Sequence, residues 1–211
     1  MTVWEKIGRQ LEHPKGLGGR LTGHFMRVVN RAPNRLAVDA LELEPDDVAL
    51  DLGCGPGSAI ALMVPRARKV YGMDQSRTMI EQAARNNSAA ISEGRVVLRV
   101  GTFERLPYVS GSFDKILASN VMYFWHDIPA VLGEIRRVLK PGGRLAIYVT
   151  DAGTMRRWKF AGPDTHRLFT DEEVRAGLVE GGFDRHAIDI ERIGLPGGVR
   201  GLVATAIRNA Q

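Results

Sequence analysis

Along most of this sequence, short apolar runs alternate with stretches whose apolar residues recur every three or four positions. No other feature narrows the available folds as much. Runs at 48–52, 69–73, 96–100, 113–118 and 145–149 each have the length of a buried strand and stand near turn signals. Between them, 58–64, 76–90 and 128–139 carry helical spacing. In the last, Ile128, Val131, Leu132, Ile135, Val138 and Leu139 make one apolar face, and Glu134, Arg136 and Arg137 occupy others, as in a helix packed on a sheet. Lys140-Pro141-Gly142-Gly143 then stops it, because proline disfavours a helical residue before it and glycine permits the reversal. Strands alternating with helices predict an α/β fold, and a helical crossover makes successive strands parallel.

The C-terminal part departs from this rhythm. Thr170-Asp171-Glu172-Glu173 has the form of a capped helix start, with acidic residues at the positive end of the helix dipole, and Gly181-Gly182 ends that helix. Strands are predicted at 187–193 and 202–207, separated by Gly194-Leu195-Pro196-Gly197-Gly198, which suits an antiparallel hairpin. The expected architecture is therefore a doubly wound, mostly parallel seven-stranded sheet with an antiparallel C-terminal edge hairpin. Residues 1–45 stand apart from the βα pattern and are read as a helical extension, followed by one domain at 46–211. Leu21, Phe25, Val28 and Val29 share a helical face, and Arg27, Arg31 and Arg35 recur every four residues, with Pro33 expected to break the helix between them. Either an amphipathic helix with a solvated basic face or an N-terminal helical lid over a ligand fits this spacing.

With 211 residues, 44% hydrophobic and 25% charged, the chain is long enough to bury a sizeable core and too apolar for a disordered protein. Its one cysteine, Cys54, allows no internal disulfide, and no apolar run has signal-peptide or membrane-spanning length, so a cytoplasmic location is expected. His13, His24, His166 and His186 lack metal-site spacing, and no metal is expected. The formal charge of +5 favours anionic partners without identifying one.

Asp51-Leu52-Gly53-Cys54-Gly55-Pro56-Gly57 closes the first predicted strand and opens a helix. Glycines there let the backbone turn sharply and let a ligand approach without meeting a Cβ. The next strand ends at Asp74, which in a doubly wound sheet lines the same crevice and can accept hydrogen bonds from two ribose hydroxyls. A dinucleotide fingerprint from Gly53 would need Gly or Ala at position 58, where Ser58 stands, and the Asp51 carboxylate suits a cationic ligand better than a pyrophosphate.

With these residues in view, 45–185 resembles a class I S-adenosylmethionine-dependent methyltransferase. The family's acidic residue followed by x-G-x-G-x-G matches Asp51 to Gly57, and its acid at the end of the second strand matches Asp74. Gly101-Thr102-Phe103-Glu104-Arg105-Leu106-Pro107-Tyr108, followed by Phe113-Asp114, is similar to the family's G-D-A-x-x-L-P-F and F-D segment. Val138-Leu139-Lys140-Pro141-Gly142-Gly143 is similar to its turn before the fifth strand. The resemblance implies S-adenosyl-L-methionine as cofactor, held by Asp51, Gly53, Cys54, Gly55, Gly57, Asp74, Gln75, Met79, Thr102, Phe103 and Asn120. Thr102 departs from the family, which often has an aspartate there for the adenine amino group. Phe103 would offer its N–H and ring to the adenine, and Asn120 its backbone to the methionine part.

Methyl transfer from a sulfonium is an in-line displacement, so holding the acceptor atom behind the methyl, away from water, matters most. Asn120-Val121-Met122-Tyr123-Phe124-Trp125-His126-Asp127 follows the fourth strand, where the methyl would emerge. Tyr123 is the candidate acceptor-site residue and His126 the candidate base, although His126-Asp127 also suits a helix cap. Asp114 reads as structural. Arg156, Arg157, Lys159, His166 and Arg167, within 151–169, suit an anionic acceptor or a solvated loop equally. The expected partner is a small-molecule acceptor, anionic or aromatic. Alternatives are a phospholipid or quinone precursor at a membrane surface, or a non-catalytic S-adenosylmethionine-binding protein. Nucleic acid is disfavoured because Asn120-Val121-Met122-Tyr123 is not the D/N-P-P-Y/F motif and no RNA-binding module is evident.

Overall fold

The computed structural model describes residues 30–158 and 166–209. The apolar face at Leu21 to Val29, together with His13, His24 and Lys159, lies outside them.

Seven strands form a single sheet: β1 Val48–Leu52, β2 Lys69–Asp74, β3 Val96–Val100, β4 Phe113–Ser119, β5 Leu139–Thr150, β6 Ile188–Leu195 and β7 Val199–Ile207. The spatial order is β3-β2-β1-β4-β5-β7-β6. The first five strands pair in parallel, and β7 runs antiparallel between β5 and β6. The α/β class, the mostly parallel sheet and the antiparallel C-terminal hairpin all match the sequence expectation. Strand order reverses at β1, whose neighbours are β2 on one side and β4 on the other. At such a switch point, loops leaving the strand ends diverge and open a crevice.

Helices α1 Arg31–Asp39, α2 Ser58–Met63, α3 Arg77–Asn86, α4 Ser88–Ser92, α5 Ile128–Val138, α6 Ala152–Met155 and α7 Asp171–Glu180, with short 3-10 helices at Met122–Phe124, Arg185–Ala187 and Pro196–Gly198, complete the described elements. Two cores result, one for each face of the sheet. The larger contains Leu50, Leu52, Ile116, Leu132, Ile135 and Phe183. The other gathers Ala37, Val38, Ala49, Ile60, Met63 and Leu117. Each fully buried Leu, Ile or Met contributes about 1.5–3 kcal/mol of transfer free energy, so both faces are firmly tied to the sheet.

Three local expectations are corrected. The stretch 76–90 is not one helix: α3 ends at Asn86, and Asn87 turns its amide back to donate to the Gly57 and Ala83 carbonyls. Pro33 does not break a helix between Arg31 and Arg35; it lies in the first turn of α1, where its missing N–H costs nothing. Finally, the Lys140–Gly143 turn lies inside β5. Leu139 already pairs with Phe113, and a register shift follows before Arg144 pairs with Lys115.

Two charged contacts fix the start of β4 and the end of α5. Asp114 accepts hydrogen bonds from the Val48 N–H at 2.9 Å and Lys140 Nζ at 2.7 Å. Burial raises its carboxyl, but those donors outweigh it and hold the group below the usual carboxylate range. Its role is structural, as expected. Arg208 donates to the carbonyls of Arg136, Arg137 and Leu139, closing the C-terminus of α5.

Candidate functional site

The β1 strand delivers Asp51 and the glycine loop to the switch point. The N–H groups of Gly53 and Cys54 both donate to the Met73 carbonyl, at 2.8 and 3.0 Å, so the loop turns over the end of β2. Gly53, Gly55 and Gly57 have φ of +76°, +50° and +78°, in the left-handed region that glycine tolerates. Their surroundings differ. A Cβ on Gly53 would stand 2.4 Å from Val121 Cγ2, and one on Gly57 2.4 Å from Asn87 Nδ2, whereas one on Gly55 meets nothing within 4 Å. Two of the glycines therefore serve packing, whereas at the buried Gly55 a side chain would meet no atom of the described residues.

Gly55 lines a small cleft together with Asn34, Asp51, Ser58 and Ser119. Asp51 is 2% exposed. Its Oδ2 and the buried Ser58 Oγ have no hydrogen-bond partner among the described residues. Burial, and then the nearby Asp74 charge, raise the Asp51 carboxyl from 3.8 to about 8. A cationic group placed beside such an acid would offset the cost of ionising it. Cys54 is buried, and burial pushes its thiol well up, so it is an inert loop residue.

At the end of β2, Asp74 accepts from the Gly55 N–H at 2.9 Å and the Ser76 N–H at 2.8 Å. It thus ties the glycine loop to the start of α3. Ser76, not Asp74, is the N-cap of α3, accepting from the Met79 N–H. Met79 is buried and Gln75 is exposed. Thr102 is exposed, and Phe103 is buried with its ring in the larger core.

Asn120, after β4, has φ +56°, a strained conformation for a residue with a side chain. Its Oδ1 accepts from the Tyr123 hydroxyl at 3.1 Å. The Tyr123 oxygen also accepts from the Thr150 N–H, so one phenol bridges the ends of β4 and β5. Burial raises this phenol above the usual tyrosine range, and it stays neutral at physiological pH. Around it stand Phe124, Phe169 and the buried His166, with ring centroids 6.0, 6.2 and 5.9 Å from its own. Burial lowers His166 from 6.5 to about 4. His126 is exposed before α5, where Asp127 caps the helix by accepting from the Ala130 N–H. The structure therefore gathers Asp51, Gly53, Cys54 and Gly55 around the cleft and ties Asp74 to them through the Gly55 N–H, while Gly57 packs against Asn87 outside it; it groups Asn120 with Tyr123 and leaves His126 at the surface.

Sequence reasoning missed Asn34, Ser58 and Ser119. Asn34 is buried on α1 and accepts from Ser119 Oγ at 2.8 Å. No spacing links it to Asp51; only the packing of α1 on the sheet does. His166, set aside as isolated, stands among the rings beside Tyr123.

Among the described residues no cluster of three His, Cys, Asp or Glu side chains fits a metal ion. No helix there is long and apolar enough to cross a membrane.

Comparison with known proteins gives a consistent picture. Residues 50–147 match the model of a family described as a methyltransferase domain. The uncharacterized methyltransferase YdaC of Bacillus subtilis is 31% identical over 129 residues, covering 60% of this chain and 69% of that protein. A ubiquinone/menaquinone biosynthesis C-methyltransferase of Geotalea daltonii is 32% identical, covering 56% and 52%. The chain spans about half the length of several such relatives, 47%, 52% and 45% of three of them. Among solved structures, the Bacillus subtilis YcgJ protein superposes with a TM-score of 0.69 at 18% identity, covering 84% of this chain and 98% of that one. The geranyl diphosphate C-methyltransferase of Streptomyces coelicolor, solved with Mg2+, geranyl diphosphate and S-adenosyl-L-homocysteine, also gives 0.69 at 18% identity, covering 84% and 78%.

Proposed function

The chain belongs to the class I S-adenosylmethionine-dependent methyltransferases, and on that footing we propose that it transfers a methyl group from S-adenosyl-L-methionine to a small-molecule acceptor. One observation carries the assignment: the buried, unpartnered Asp51 carboxylate faces the same cleft as the bare backbone of Gly55, one strand away from Asp74. When bound, the cofactor supplies an electrophilic methyl on a sulfonium.

The protein's own groups divide the remaining work. Asp51, with Asn34, Ser58 and Ser119, would hold the amino-acid end, and a cationic ammonium there relieves the cost of ionising the acid. Gly55 allows close approach, and Asp74 accepts from the ribose hydroxyls. Thr102, Phe103 and, beyond β2, Gln75 and Met79 would flank the adenine. Asn120, held by Tyr123, would sit where the methyl meets the acceptor. Because catalysis in such a displacement lies mainly in alignment and exclusion of water, the Tyr123 bridge orients the site rather than moving a proton. His126, in solvent, is assigned no role in alignment; if a base is used there it acts at the mouth of the site.

For the acceptor, the half-buried Phe124 ring beside Tyr123 favours an apolar or aromatic body, and the exposed Arg156 and Arg167 favour an anionic group on it. The matched C-methyltransferase of ubiquinone/menaquinone biosynthesis makes a quinone precursor the first acceptor to try. The described part of the N-terminal extension, residues 30–45, would help to enclose this site, joined to it through Asn34. A cytoplasmic setting is proposed on the strength of one buried thiol and no disulfide requirement.

Isothermal titration with S-adenosyl-L-methionine and S-adenosyl-L-homocysteine tests the donor assignment. Wild type should bind both, and Asp74→Ala should weaken both by tenfold or more, about 1.4 kcal/mol. Absence of binding by wild type, or undiminished binding by the variant, refutes it. Methyl transfer to a panel of phenolic and quinol acceptors then tests the acceptor class.

A further inference from the structure

Between β3 and β4 the segment 101–112 forms neither helix nor strand, so its backbone groups need partners from elsewhere. Near its middle, one ion pair on α5 supplies them. Glu134 Oε2 accepts from the Leu106 N–H at 2.8 Å, and Arg137 Nη2 donates to the Leu106 carbonyl at 3.0 Å. Arg137 Nη1 also donates to the Tyr108 carbonyl at 2.8 Å. The two side chains grip each other in the bidentate form, Nε to Oε1 at 2.7 Å and Nη2 to Oε2 at 2.8 Å. Glu134 and Arg137 are one helical turn apart on α5, itself anchored to the sheet by the buried Val131, Leu132 and Ile135. A rigid helix thus fixes both polar groups of one loop residue with a planar, charge-assisted fork.

Leu106 and Phe103 are both buried, 3% and 4% exposed, in the same core. The main chain between them has little freedom once Leu106 is held. Resting on the donor assignment above, we propose that Glu134 and Arg137 are positioning residues for the adenine: by clamping Leu106 and Tyr108 they set the place of Thr102 and Phe103, and so the tightness and base selectivity of donor binding. They act through the loop and touch no ligand. Arginine is required for this geometry, since lysine offers a point charge in place of the fork.

The experiment uses the full chain and two probes, S-adenosyl-L-homocysteine and S-inosyl-L-homocysteine, which differ only at the base. Dissociation constants are measured by isothermal titration for wild type, Arg137→Gln, Arg137→Lys and Glu134→Gln, below each protein's melting temperature. Wild type should prefer the adenine compound. Arg137→Gln should bind it about tenfold more weakly and lose most of the preference, with Arg137→Lys intermediate. Glu134→Gln keeps an amide oxygen for the Leu106 N–H but loses the charged fork, and should also fall between; it supplies the reading if Arg137→Gln does not fold. Variants whose melting temperature falls while affinity and base preference stay at wild-type values overturn the inference, as does an equal weakening of both compounds. Failure of wild type to bind either compound overturns the donor assignment itself.

Discussion

Replacing Asp51 with asparagine should stabilise the ligand-free protein at alkaline pH while weakening its hold on a cationic ligand. The folded protein keeps this carboxyl neutral up to about pH 8, whereas in the unfolded chain it ionises near its ordinary value of 3.8. Folding therefore takes up a proton between those values. The associated stability is fully present below pH 3.8 and is lost as pH rises through about 8. At about 1.4 kcal/mol per pH unit, the rise from pH 5 to pH 8 carries at most about 4 kcal/mol. Relaxation of the surrounding polar groups around the ionised carboxylate brings the expected loss to about 2 kcal/mol. For a chain of this length that is a fall in melting temperature of roughly 4–8 °C. Asp51→Asn, nearly isosteric and unable to ionise, should show a profile flatter by that amount. Scanning calorimetry of both proteins at pH 5, 6.5 and 8, without ligand, makes the measurement. Superimposable profiles would refute the claim that an uncompensated carboxyl is buried in the cleft. With S-adenosyl-L-methionine present, wild-type affinity should be stronger at pH 8 than at pH 6, and that of the variant should be nearly constant.

The glycine loop offers a paired contrast. Gly53→Ala drives a methyl into Val121 at a positive φ and should cost about 2–4 kcal/mol of stability, read from chemical denaturation. Gly55→Ala meets no atom of the described residues and should cost only about 1–2 kcal/mol, yet abolish donor binding in titration. Tyr123→Phe strips the Thr150 N–H of its partner and should destabilise by about 1–3 kcal/mol, with a larger effect on turnover than on donor affinity. Thr170→Ala removes half of the capping box on α7 and should cost about 1 kcal/mol while leaving donor binding unchanged, which makes it the control for stability effects.

The strand–helix rhythm, the capped start at Thr170 and the Gly/Pro loop before the last strand were legible because each is governed by local rules: side-chain period, dipole and turn chemistry. The break at Asn87 was not, because its cause is a hydrogen bond to Gly57, thirty residues away. Pro33 was misread for a related reason: a proline that ends a helix and one that begins a helix look alike until the first turn is located. At the site, Asp51, Gly55 and Asp74 follow from motif and strand spacing. Asn34, Ser58 and Ser119 carry no such signature. His126 and Tyr123, three residues apart on the same segment, look equally available in the sequence, but the short helix Met122–Phe124 turns one inward and leaves the other exposed.

What the amino-acid order determined alone is which residues meet at the carboxyl edge of β1 and β2, since short apolar runs and the turn glycines that follow dictate where those strands stop. What only the packed molecule decided is the electrostatic state of that edge. Asp51 becomes a reluctant acid because α1 and the sheet exclude water around it and bring Asp74 close, and Leu106 finds its partners on a helix remote in sequence. Desolvation and long-range hydrogen bonding depend on three-dimensional neighbours, which no period or motif encodes.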